Sequence, residues 1–158
     1  MISDNEIDRR VEKAQGYFKQ GFNCAQSVVA ACADIYGIDN EELALKIGAG
    51  FGGGIGRMRL TCGAVCGMVL LEGMNSGCCI AGDMEGKGAN YARVQHLLEA
   101  FRQEHGAISC AELTALKADG PKPEARTAEY YRKRPCVEIV GNTTRIFLKS
   151  LNEQEDNK

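Results

Sequence analysis

The chain has 158 residues, which fits one domain, and a domain near that size buries roughly two-thirds of the surface its unfolded chain exposes. Hydrophobic residues are 44% of the chain and charged residues 25%, Trp is absent, and a formal charge of −2 offers no electrostatic footprint for nucleic acid. The start, Met-Ile-Ser-Asp-Asn-Glu, has neither the basic nor the apolar part of a secretory signal, and no apolar run approaches a membrane span, so a cytoplasmic location is expected.

Asn5 to Gln20 reads as an amphipathic helix with Ile7, Val11, Ala14 and Phe18 on one face, stopped by Gly21. Asn23 then caps a helix from Cys24 to Tyr36, with Gln26 placed to close a capping-box-like pair, and this helix is apolar enough on most sides to be central. Asp39 or Asn40 caps a third helix, Glu41 to Ile47. It dissolves into a stretch from Gly48 to Gly67 that holds eight of the nineteen glycines. Thr61 is placed to cap a fourth helix through Leu71, with Gly63 and Gly67 on one face where another backbone can approach closely.

Asn75 to Gly88 reads as a loop around the vicinal pair Cys78-Cys79. A long amphipathic helix follows from Ala89 to His105, ended by Gly106. Ser109-Cys110-Ala111-Glu112 has the form of a capping box. Asp119 to Thr127 is a loop, and the basic run Tyr131 to Arg134 reads as a solvated turn. Pro135 suits the first position of a last helix, with Cys136 second, running toward a solvated tail over Asn152 to Lys158. No strand and no repeat is evident. The expected fold is all-α: a compact single-domain bundle of about five to seven helices over residues 1–158, with a Gly-rich connecting loop.

Eight cysteines in a reducing compartment point to metal binding or redox chemistry, with small core residues as the plain alternative. Four of them, Cys24, Cys62, Cys110 and Cys136, each fall in the first turn of an expected helix. Free N–H groups and the positive end of the helix dipole favour a thiolate there, and such sites lower a cysteine pKa from about 8.5 by one to several units. Cys66 lies one turn into its helix, where it is either a fifth thiol of the group or a core residue.

The order Phe22-Asn23-Cys24-Ala25-Gln26, then Gly50-Phe51-Gly52-Gly53-Gly54-Ile55-Gly56-Arg57, then Cys62-Gly63-Ala64-Val65-Cys66-Gly67, Cys110 and Cys136 resembles the redox-active protein family named for its C, GCAxxG, C, C pattern. The blocks span about Tyr17 to Val140. The resemblance implies a small, mostly helical protein whose redox role rests on cysteines. The chain also resembles split-Soret type cytochromes, which implies that the same cysteines can hold an iron–sulfur centre. The chain reads Cys-Gly-Ala-Val-Cys-Gly where the family label has Gly-Cys-Ala-x-x-Gly. No Cys-x-x-Cys-His is present, which leaves covalent haem without support.

Two mechanisms fit these residues. Cys24, Cys62, Cys110, Cys136 and Cys66 pass electrons by thiol–disulfide exchange, or Cys24, Cys62, Cys110 and Cys136 ligate one metal or an iron–sulfur cluster. Beside such a centre, Gly52, Gly53, Gly54 and Arg57 supply the backbone and the cation. Arg57 and Arg59 either tune the thiols and meet an anionic partner or form a solvated pair. Gly48 to Gly53 matches G-x-G-x-x-G, yet a helix-like stretch precedes it where a dinucleotide fold needs a strand. The redox partner stays open, neither nucleic acid nor membrane is expected as one, and a homo-oligomer is compatible with the reading.

Overall fold

The computed structural model describes residues 1–156, so the last two residues of the expected tail, 157 and 158, lie outside the described residues. Eight α-helices are present among the described residues, one more than the upper expectation. They are α1 (Asp4–Gln20), α2 (Cys24–Cys32), α3 (Glu41–Gly48), α4 (Gly63–Ser76), α5 (Met84–His105), α6 (Cys110–Thr114), α7 (Ala128–Lys133) and α8 (Cys136–Asp156). Helix α6 starts at Cys110 after its Ser109 cap, as the capping box predicted, and the additional helix is α7, which Thr127 caps over a stretch that no long apolar pattern announces. No strand forms among the described residues; one isolated antiparallel bridge joins Thr61 to Ser109.

Local capping sets most boundaries. Gly21, at φ 110°, turns the chain out of α1 in a conformation that other residues adopt at a cost. Asn23 and Gln26 form the reciprocal box, with Asn23 accepting from the Gln26 N–H at 2.8 Å and Gln26 accepting from the Asn23 N–H at 3.0 Å. Asn40 caps α3 through the Leu43 N–H.

Several boundaries differ from expectation. Helix α2 ends at Cys32 and gives way to a 3₁₀ helix over Ala33–Tyr36, and α4 runs on to Ser76 inside the expected loop. Cys62, not Thr61, is the cap residue of α4, because Thr61 is held in the bridge to Ser109. Helix α5 starts at Met84 rather than Ala89, because Asp83 accepts from the Gly86 N–H at 2.9 Å and so offsets the weak propensity of Gly86 and Gly88. Helix α8 continues through Asn152 to Asp156, where a solvated tail was expected, and Asn152 exchanges hydrogen bonds with the backbone of Ile2.

Helix α2 is the centre of the bundle, packed against α1, α3, α4 and α8, while α5 lies on α4 and α8. The main core gathers Phe18, Val28, Met68, Leu71, Leu97, Phe101 and Phe147. Each such side chain contributes about 1.5–3 kcal/mol on full burial. Among the described residues, no helix is long and apolar enough to cross a membrane.

Candidate functional site

The path from α3 to α4 is left-handed. Gly53, Gly54, Ile55, Gly56 and Arg57 have φ of 61°, 72°, 65°, 57° and 63°, and Arg59 has 58°. A β-branched residue such as Ile55 is costly in this region, on the order of 1–2 kcal/mol. The segment is held by its own backbone: the Arg57 N–H donates to Gly52 O at 3.0 Å, Arg59 to Gly53 O at 3.0 Å and Leu60 to Gly54 O at 2.9 Å.

Backbone bonds then join two of the cysteines. The Cys62 N–H donates to Ile108 O at 2.8 Å and the Cys110 N–H to Leu60 O at 2.6 Å, flanking the Thr61–Ser109 bridge. Cys24, first residue of α2, comes to the same place because Gly63 lets α2 and α4 close up. A Cβ built on Gly63 would stand 2.4 Å from Cys24 Sγ. Cys136 arrives at the start of α8, which packs along α1. Gly54 is pressed against Cys110, where a Cβ would meet the Cys110 Cβ at 2.6 Å.

Cys24, Cys62, Cys110 and Cys136 thereby line one cavity of about 530 Å³. Gly52, Gly53 and Arg57 line it with them, whereas Gly54 lies behind Cys110. Cys66 points elsewhere, its Sγ 3.9 Å from Thr61 O, although it is close enough to Cys24 to sense its charge. All eight cysteines are free thiols, and Cys78 and Cys79 sit outside this group, Cys79 exposed.

The expectation of lowered thiol pKa values is overturned. Burial pushes the Cys24 and Cys62 thiols up, and Cys136 to about 12. Neighbouring thiols add to the rise: Cys110 acts on Cys24, while Cys24 and Cys136 act on Cys62. Backbone amides do favour the thiolates, Gly53 of the left-handed segment and Ala25 of α2 at Cys24, and Val65 and Ala64 of α4 at Cys62, but they are outweighed by desolvation. Cys24 keeps some accessible surface on the cavity it lines, yet protein packs around its sulfur closely enough for burial to govern its ionisation. Burial likewise raises Cys66 to about 11.

The arginines are not a solvated pair. Arg57 is bound to Asp119 at 3.1 Å and to Gly120 O at 2.7 Å, and Arg59 is 7% exposed with Nη1 at 3.7 Å from Cys110 Sγ. Two further arginines escaped sequence reading. Arg126 donates to Phe18 O and Phe22 O and lies 4.4 Å over the Phe18 ring. Arg134 pairs with Glu124 and lies 4.3 Å over Tyr130, so the basic run ends in the cavity wall rather than in a solvated turn. The available signal was the Tyr-Tyr-Arg-Lys-Arg run beside Pro135 and Cys136, which brings cations next to a thiol.

Cys24, Cys62, Cys110 and Cys136 line a cavity whose wall holds four arginines and one glutamate, Glu124. A single ion is not preorganised, because among the described residues no three His, Cys, Asp or Glu side chains are grouped to hold one.

Fold and site together define a small helical protein with four cysteines gathered from separate helices at one cavity. Residues 22–150 match the family described as "Putative redox-active protein (C_GCAxxG_C_C)", and the chain belongs to that family. An uncharacterized protein of Archaeoglobus fulgidus is similar to it, 27% identical over 139 residues that cover 84% of this chain and 87% of the relative. No solved structure matches the chain.

Proposed function

We propose that the protein cycles between dithiol and disulfide at its gathered cysteines. The observation that carries the reading is the convergence of Cys24, Cys62, Cys110 and Cys136 on one cavity. In such a group one cysteine sulfur attacks an incoming disulfide, whose far sulfur leaves with the electron pair, and a second cysteine then displaces the remaining thiol. Two protein thiols become one disulfide, and the partner departs as two thiols carrying the two electrons and two protons. Cys110 is the attacking sulfur in this reading, because its Sγ is the cavity thiol in contact with a guanidinium, Arg59 Nη1 at 3.7 Å. Cys24 and Cys136, which line the same cavity, supply the resolving sulfur in this reading.

The test is a titration in glutathione redox buffers with mapping of the disulfides by mass spectrometry, on the native chain and on Cys24→Ser and Cys110→Ser. One two-electron transition joining two of the four cysteines is expected, lost in Cys110→Ser with the fold retained. If each substitution costs only the stability of a buried apolar side chain and the remaining thiols titrate unchanged, the exchange reading fails.

A second reading is favoured by the arginine-rich wall, which suits the net negative charge of a thiolate-bound iron–sulfur cluster. Cys24, Cys62, Cys110 and Cys136 would hold it, and when bound it supplies one-electron transfer. Iron and acid-labile sulfide, measured on protein purified without oxygen, separate the two. Near whole-number ratios of both support the cluster, and a colourless, metal-free protein with reactive thiols supports exchange.

A further inference from the structure

Arg59 is a buried cation with unused donor capacity. It is 7% exposed, its Nε–H has no acceptor, and its polar side-chain contact is the 3.7 Å approach of Nη1 to Cys110 Sγ. The other three arginines of the cavity are already engaged, Arg57 and Arg134 with carboxylates and Arg126 with carbonyl oxygens. A buried guanidinium without a counter-charge is costly, and it calls for an anion.

The chain also invests in placing it. Arg59 sits at φ 58° at the end of the left-handed segment, its N–H donating to Gly53 O and its carbonyl accepting from the Ala111 N–H at 3.3 Å. Strained backbone of this kind persists where the surroundings over-determine it, which is common at binding sites. The two bonds fix Arg59 between the glycine segment and the first turn of α6, beside Cys110.

We propose that Arg59 binds the carboxylate of a low-molecular-weight anionic disulfide and so sets its S–S bond beside Cys110. The proposal rests on the exchange reading and names its substrate class. The cavity of about 530 Å³ falls within the roughly 300–1,000 Å³ range of small-molecule sites. With the carboxylate on the guanidinium, Cys110 Sγ bonds to the nearer substrate sulfur. The S–S bond breaks, and its electron pair leaves on the farther sulfur, which takes up the proton that Cys110 gave. A second cysteine of the cavity repeats the displacement, so the protein gains a disulfide and the substrate is released as two thiols.

The test compares reduction of 3,3′-dithiodipropionate, which carries two carboxylates, with that of bis(2-hydroxyethyl) disulfide, which is neutral and of similar length. It also measures calorimetric binding of suberate, the dicarboxylate in which two methylenes replace the sulfurs. The native protein, Arg59→Gln and the charge-keeping Arg59→Lys are compared, with circular dichroism as the check on folding. A charge-assisted contact of this kind predicts about a tenfold preference for the anionic disulfide, lost in Arg59→Gln and largely kept in Arg59→Lys, with suberate affinity falling about tenfold in Arg59→Gln. Equal use of both disulfides, with no effect of Arg59→Gln on either and no suberate binding, overturns the substrate assignment and the part given to Arg59 at Cys110, and leaves thiol–disulfide exchange at the cavity standing. Suberate binding that depends on Arg59, without reduction of either disulfide, keeps the anion site but overturns both the exchange reading and the disulfide as its substrate.

Discussion

Gly63 shows how much of this site depends on single atoms. A methyl group there would stand 2.4 Å from Cys24 Sγ and 2.7 Å from Phe51 O, so the Cys24 side chain must turn away and the Phe51 backbone must shift. Gly63→Ala is therefore expected to lower stability by about 1–3 kcal/mol, read as a lower urea midpoint, and to displace Cys24 from its partners. Gly16→Ala is the matched control. Gly16 lies inside α1, and a methyl group added to it would have nothing within 4 Å, so the change should raise stability by about 0.5–1 kcal/mol. A midpoint for Gly63→Ala at or above the native one would show that the close approach of α2 and α4 is not needed. The close-approach role of Gly63 and Gly67 was legible from their spacing, whereas the neighbour that demands it, Cys24 Sγ, was not, because nothing local links positions 24 and 63.

At the scale of elements, α1 and α2 are tied by one buried arginine. Arg10 is 8% exposed and donates to Ala31 O at 2.8 Å, to both carboxylate oxygens of Asp34 at 2.7 and 2.9 Å, and to Glu6 at 2.7 Å. The hydrogen bond from Arg10 holds the Asp34 carboxyl below its ordinary value of 3.8. A carboxyl depressed by folding stabilises the protein above its unfolded pKa, and that contribution drains away as pH falls through the folded one. Asp34 is 40% exposed on its side chain, so solvent screening keeps the effect small. Asp34→Asn should cost about 1 kcal/mol at pH 7, and the gap to the native chain should narrow as pH falls below 3.8. Unfolding curves at pH 7 and across the range below 3.8 check this; a gap that stays constant throughout would assign the loss to packing. Helix limits were legible wherever a cap acts within three residues, as at Asn23 with Gln26, at Asn40 and at Gly21. They were missed where a distant partner decided, as at Thr61, which is drawn into its bridge with Ser109.

Across the whole molecule, burial dominates the thiols. Cys24, Cys62, Cys66 and Cys136 all have pKa values raised above the ordinary 9, so their protons are held more tightly in the folded chain than in the unfolded one. That stabilising term is complete below pH 9 and is lost as pH climbs toward 11 and 12, the values for Cys66 and Cys136. The metal-free, reduced protein should therefore lose stability between pH 9 and 11, at up to about 1.4 kcal/mol per pH unit for each such thiol. Thermal unfolding across that range, with Cys136→Ala showing a shallower slope, is the check; a flat profile would mean that the thiols ionise as freely folded as unfolded. Bound metal would reverse the trend, since ligation requires thiolates and gains from their formation.

By itself the sequence determined the helical class, the order of the main helices and the positions of Cys24, Cys110 and Cys136 at helix starts, because capping and 3.6-residue periodicity act over a few neighbouring residues. Only the tertiary structure decided that these starts, with Cys62, meet at one cavity, that Arg126 and Arg134 form part of its wall, and that Arg59 is buried beside Cys110. It also decided the sign of the thiol shifts. The helix-start field is local and can be read from the chain, whereas desolvation depends on everything that packs around the sulfur, and in this bundle desolvation is the larger of the two.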